Sequence, residues 1–274
     1  MTAVATPPTR AAGPVRRVGL LQVLRSEWTK LWSVRSTPWS LLALVVVTVG
    51  FSALVSWGTG ANFDQQPAEQ QALFDPTYVG LSGLALGQLA LAVLGVLVIT
   101  SEYSTGGIRT SLAAVPRRWR LVVAKALVLS LVALVVGMIT SFGAFLVAQG
   151  FLNHYGHGTT LGAPHVLRAV AGGGLYLVLS ALFGFAIGTV LRQTAASIVA
   201  TVALLLVVPP LTQLLPGSWG DAITRWFTSN AGQQISTVFS QPDTLSPWRG
   251  YAAFVVETLA VLAVGLVLVT RRDA

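Results

Sequence analysis

Six apolar stretches of helix length, divided by short polar connectors, set the pattern of this chain. They run about Trp39 to Trp57, Tyr78 to Thr100, Leu121 to Ala148, Val166 to Leu191, Ala195 to Leu215 and Tyr251 to Thr270. At about 1.5 Å of rise per residue, each is long enough to cross the roughly 30 Å hydrocarbon core of a bilayer. Trp39 and Trp57 bracket the first stretch at the depths where tryptophan anchors a span. The third is long, so its first turn is expected to stand proud of the bilayer. Pro209 and Pro210 are expected to kink the fifth near one end and free backbone carbonyls that then need partners. The pattern predicts an all-α membrane protein with six transmembrane helices.

Ahead of the first span, residues 1–17 are rich in Pro, Ala and Gly without an apolar period and read as a disordered cytoplasmic tail. Residues 18–36 are amphipathic instead. Leu21, Leu24, Trp28, Leu31 and Trp32 recur at helical spacing, with Arg25, Ser26, Lys30 and Ser33 on other faces. That pattern predicts a helix lying in the headgroup plane. Residues 37–274 then form the six-span body.

Composition agrees with this class. Hydrophobic residues make up 54% and charged residues 9%, against roughly a quarter charged in soluble domains. The net charge of +8 is therefore topological, and no soluble basic domain exists to bind nucleic acid. Placing both termini in the cytoplasm puts 14 cationic residues inside, leaving only Arg168, Arg225 and Arg249 near the outside. That is a strong positive-inside bias. The connector at 216–250 mixes Trp219, Ile223, Trp226 and Phe227 with polar residues and predicts short extracellular helices. The chain has no cysteine, which excludes disulfides, thiol catalysis and Cys-ligated metals.

One connector concentrates charge. Between spans two and three, Thr100 to Lys125 carries Glu102, Arg109, Arg117, Arg118, Arg120 and Lys125. Gly106-Gly107 permits a sharp turn, Ile108 to Ala114 can form about two helical turns, and Pro116 is placed to start the next helix. The order Glu102-Tyr103-x3-Gly107-x-Arg109, followed by Pro116, Arg117, Arg120 and Lys125, resembles the first cytoplasmic loop of ABC-2 type ABC transporter permeases, of actinobacterial type. Arg225 to Gln233, with its Asn-Ala-Gly, resembles the extracellular helix region before the last span of the same family.

The resemblance implies that the loop holds a coupling helix docking into a separate ATP-binding subunit. It assigns residues 18–36 to an elbow helix, with Trp28, Lys30 and Trp32 able to touch that subunit. Glu102 and Arg109 would fix the coupling helix, by pairing with each other or by gripping the ATPase. It further implies an exporter in a bacterial plasma membrane, a second permease subunit (identical or different), and ATP with Mg on the partner. No cofactor is expected in this chain, which lacks G-x4-G-K-[ST] and so cannot hydrolyse ATP in the P-loop way. The competing reading is a non-transporting membrane scaffold or sensor.

Other chemistry is thin. His154, His157 and His165 share one connector, but no carboxylate lies there to orient a metal-bound ring, so a solvated loop is expected and no metal. Gly80-Leu81-Ser82-Gly83 matches the Gly-x-Ser-Gly of rhomboid proteases, yet span six has no histidine to act as base, and small-residue packing explains it. No catalytic residue is assigned. Glu257 is the carboxylate inside span six, and an intramembrane ionisable group is a functional candidate by default. With Gln88 it forms the candidate substrate pathway, for an amphiphilic drug, lipid or peptide.

Overall fold

A computed structural model describes residues 19–33, 36–106, 118–239 and 244–271. Among the described residues the chain is all-helical, with no strand. An amphipathic helix spans Leu20–Ser33. Six helices long and apolar enough to cross a membrane follow: Thr37–Ala61, Leu84–Ser104, Trp119–His154, Val166–Leu191, Thr194–Thr212 and Pro247–Arg271, spans one to six.

Span four is the axis. It packs against spans two, three, five and six, while span one packs on spans two and three. In a bilayer, lipid tails are as apolar as leucine, so helices associate by close approach rather than by escape from water. Small residues provide that approach here. A Cβ at Gly95 would collide with the carbonyl of Ala181, and one at Gly184 with the carbonyl of Ala92, a reciprocal crossing of spans two and four. The Gly172-Gly173-Gly174 run admits Ile235 from the connector between spans five and six, Leu84 with Ser141, and Met138. Spans one, five and six keep apolar faces exposed, through Val46 and Leu54, Val199 and Leu211, and Val256 and Leu259.

Several boundaries differ from the expected ones. Span two begins at Leu84, because Pro76–Gly80 forms a separate short helix capped by Asp75, whose carboxylate accepts from the N–H groups of Thr77 and Tyr78. The backbone then turns through Gly83, whose N–H donates to Ser52 Oγ of span one at 2.9 Å. That is the packing role expected for Gly80 to Gly83, and Ser82 Oγ is buried without a hydrogen-bond partner among the described residues. The helix of span three starts at Arg118 and continues to His154, because no proline interrupts it. At 37 residues it is about 55 Å long and projects at both ends.

Span five is broken as expected, in a specific way. Thr194–Val202 is α-helical, Ala203–Val207 forms a π turn, and Val208–Thr212 resumes the α-helix. Pro209 has no N–H, and its ring would strike the carbonyl four residues back, at Leu205. Widening the preceding turn relieves that clash. The connector beyond it holds Gly217–Trp226 and Thr228–Gln233, the two short helices anticipated between spans five and six.

Candidate functional site

Glu102 and Tyr103 end span two, and Lys125 lies in the second turn of span three. Both stand at the face bearing the basic connector, where the amphipathic helix crosses beside them. Val23 of that helix packs with Leu121 and Ala124 of span three, and Leu24 and Tyr103 lie against them. This apolar contact brings Glu27, one turn beyond Val23, to the two spans.

The result is a closed set of four charges. Lys125 Nζ lies 2.5 Å from Glu27 Oε2 and 2.8 Å from Glu102 Oε1. Lys30 Nζ lies 2.9 Å from Glu27 Oε1 and 3.0 Å from Glu102 Oε1. Two cations and two anions alternate, so the set is neutral. The side chains of Glu27, Lys125 and Glu102 are only 4%, 5% and 13% exposed, while Lys30 is 47% exposed. Burial works to lower the Lys30 pKa, but hydrogen bonds and charge from Glu27 and Glu102 outweigh it and raise the ammonium above its ordinary value. Glu102 Oε2 is buried with no hydrogen-bond partner among the described residues.

Arg192 extends the site to spans four and six. It closes span four in a left-handed conformation, φ 59°, where glycine is the usual residue. Its guanidinium lies 5.4 Å from the centre of the Tyr103 ring. It also donates to the Leu268 carbonyl at 2.8 Å, satisfying one of the free carbonyls in the last turn of span six. The ends of spans two, four and six thus meet at one side chain.

Of the residues singled out from sequence, Glu102, Tyr103, Lys30 and Lys125 come together here. Gly107, Arg109, Pro116 and Arg117 lie outside the described residues, as does the whole of the expected coupling helix. Arg120 stands over Trp119, 5.7 Å from its ring centre, rather than joining the charge set. Trp28 and Trp32 pack on each other at 5.7 Å and remain exposed. The buried stripe of this helix therefore runs through Val23 and Glu27, one position away from the expected apolar face. Glu27 was missed because an acid in an amphipathic helix ordinarily faces water. Its three-residue spacing from Lys30 was the available signal.

Gln88 is buried and accepts a hydrogen bond from Tyr176, tying span two to span four. Glu257 Oε1 accepts from Thr228 Oγ1 at 2.7 Å. On the far face, His157 stacks on Phe63 at 3.8 Å and His154 meets the edge of Tyr155. No group of metal-ligating side chains gathers among the described residues.

These features define a multi-pass membrane protein whose ion pairs, among the described residues, are gathered at one interface, around the stems of a single connector. The sequence profile of the ABC-2 family transporter proteins matches residues 23–208, well over half of the chain. The chain belongs to that family, whose proteins are the membrane-spanning part of a transporter rather than its catalytic chain. The matched stretch contains all four charges of the set, Tyr103 and Arg192. No curated protein gives a significant sequence match.

Proposed function

We propose that this chain is the permease subunit of an ATP-driven exporter, with its basic face in the bacterial cytoplasm. A separate ATP-binding subunit hydrolyses ATP with Mg, and a second permease copy or homologue completes the pathway. The Leu20–Ser33 helix is then the elbow helix, and the connector between Glu102 and Arg118 holds the docking element. The observation that carries this reading is the buried four-charge set. It fastens the elbow helix to both stems of the connector, at Glu102 and at Lys125.

The fastening has a mechanical consequence. Buried ion pairs contribute little net stability but resist separation, because a parted charge is left uncompensated. Elbow helix, span two and span three should therefore move as one body when the ATPase displaces the connector. Arg192 passes the displacement to spans four and six through Tyr103 and Leu268.

The test is purification of the tagged chain in mild detergent after co-expression with an ABC ATPase encoded beside it. The ATPase should co-purify with the native chain and be lost with Arg109→Glu, while membrane insertion is unchanged. Retention of the ATPase by Arg109→Glu would move the docking site off this loop. Absence of any ATPase from the native complex would favour a scaffold or sensor.

A further inference from the structure

Span six presents a buried stripe through Gly250, Phe254, Thr258, Gly265 and Val269. On one shoulder of that stripe, Leu262 and Leu266 pack into the large core cluster with residues of span three. Glu257 stands on the other shoulder, half-buried and about 15 Å along the helix from Pro247. This shoulder faces span five. Val261, one turn on, shares a cluster with Leu204 and Leu205 of span five and with Phe183 and Ile187 of span four.

Spans five and six both pack on span four, yet they do not form a packed pair with each other. The Thr228–Gln233 helix lies over the gap. Gly232 fits against Phe254 and Tyr176, and a Cβ at Gly250 would collide with the Ala231 carbonyl. Asn230 Nδ2 reaches Thr212 Oγ1 of span five at 3.4 Å, so the roof touches both walls. Beneath it the facing sides of the two spans are apolar, through Leu204 and Leu205 of span five and Val255 and Val261 of span six, with one carboxylate among them.

That carboxylate lacks a counter-ion. Thr228 supplies a single hydroxyl to Oε1, and no cation among the described residues lies within ion-pair range of Glu257. Arg168 is occupied by the carbonyls of Ile235 and Thr237. Arg249 is exposed, two helical turns nearer the end of the helix. An ionised carboxylate at membrane depth is costly unless paired. A ligand bringing a positive charge on an apolar body would supply both missing parts, whereas an anion would be repelled.

We propose that the apolar face of span six beside span five binds cationic amphiphiles, with Glu257 as the counter-ion. This names the substrate class of the permease reading and rests on that reading for its role in export. Glu257 and Thr228 lie beyond the residues matched by the family profile. Binding itself requires no ATPase, so the two readings can fail separately.

The experiment is equilibrium binding of radiolabelled tetraphenylphosphonium to the purified full chain in zwitterionic lipid nanodiscs, with tetraphenylborate as the size-matched anion. Saturable binding of the cation is expected, about tenfold weaker or worse in Glu257→Gln. Glutamine keeps an acceptor for Thr228, so this variant should fold. Thr228→Val, which frees the carboxylate without removing it, should bind within about threefold of the native chain. The proposal is overturned if the native chain shows no saturable cation binding, if Glu257→Gln binds as well, or if tetraphenylborate binds equally. Cation binding by a chain that captures no ATPase would keep the site and remove the permease reading. ATPase capture without cation binding would do the reverse.

Discussion

Lys125→Met is the sharpest perturbation of the charge set. Methionine keeps the length and apolar stem of the side chain and deletes only the ammonium. In the native structure that ammonium serves Glu27 at 2.5 Å and Glu102 at 2.8 Å. Without it, two nearly buried carboxylates share Lys30 alone, and the set goes from neutral to one net negative charge. Each lost contact is worth about 6 kcal/mol by Coulomb's law at an effective dielectric constant of 20, offset by the several kcal/mol that burying a lysine costs. Removing one partner from a buried pair typically costs about 3–5 kcal/mol. At about 2–4 °C of Tm per kcal/mol for a chain of this size, the expected drop is about 6–20 °C. The assay is thermal unfolding in detergent, followed by the fluorescence of the eight tryptophans. The decisive comparison is Lys125→Met with Glu102→Gln added, which restores neutrality and should recover more than half of the loss. A single variant within about 2 °C of the native Tm, or a double variant no better than the single, would refute the reasoning.

Gly184→Val should prevent spans two and four from meeting and leave little monodisperse protein on size-exclusion chromatography. Gly50→Ala, where a Cβ meets nothing, should behave as the native chain. Arg192→Gly and Arg192→Ala both lose the contacts to Tyr103 and Leu268, but only alanine strains the left-handed backbone. The alanine variant should be less stable by about 1 kcal/mol in denaturant titration. The Lys30 pKa is raised, so its contribution to stability should be fully present below its ordinary value of 10.5 and fade as pH rises through the folded value. The Tm gap between native chain and Lys30→Met should therefore hold constant from about pH 7 to 10 and close above that range; a gap that widens there would contradict it.

The spans were legible because lipid demands long unbroken apolar helices, and most of the sequence answers that demand directly. Span four came out at the same limits, Val166 to Leu191, because His165 and Arg192 close it at both ends in left-handed conformations. Span two did not, since the Asp75 cap with Pro76 starts an independent helix that hydrophobicity alone merges with the span. Pro209 and Pro210 announced a break in span five, but not that a π turn would absorb it. At the site, Glu102 and Lys125 stood out as charges beside apolar runs. Glu27 did not, because only the tertiary contact through Val23 turns it inward. Arg192 read as a topological charge, and nothing in its neighbours revealed the reach to Leu268.

On this account the Leu20–Ser33 helix and the stems of the basic connector form one rigid body. The chain contains no cysteine, so Arg25→Cys with Ser104→Cys, two exposed positions on the Leu20–Ser33 helix and the end of span two, gives uniquely labelled spin pairs. Their distance distribution would be measured in the complex with its co-purified ATPase, with and without a trapped ATP analogue. One narrow population, unmoved by nucleotide and broadened when Lys125→Met is added, is the expected result. A distance that shifts with nucleotide in the otherwise native complex would contradict the claim.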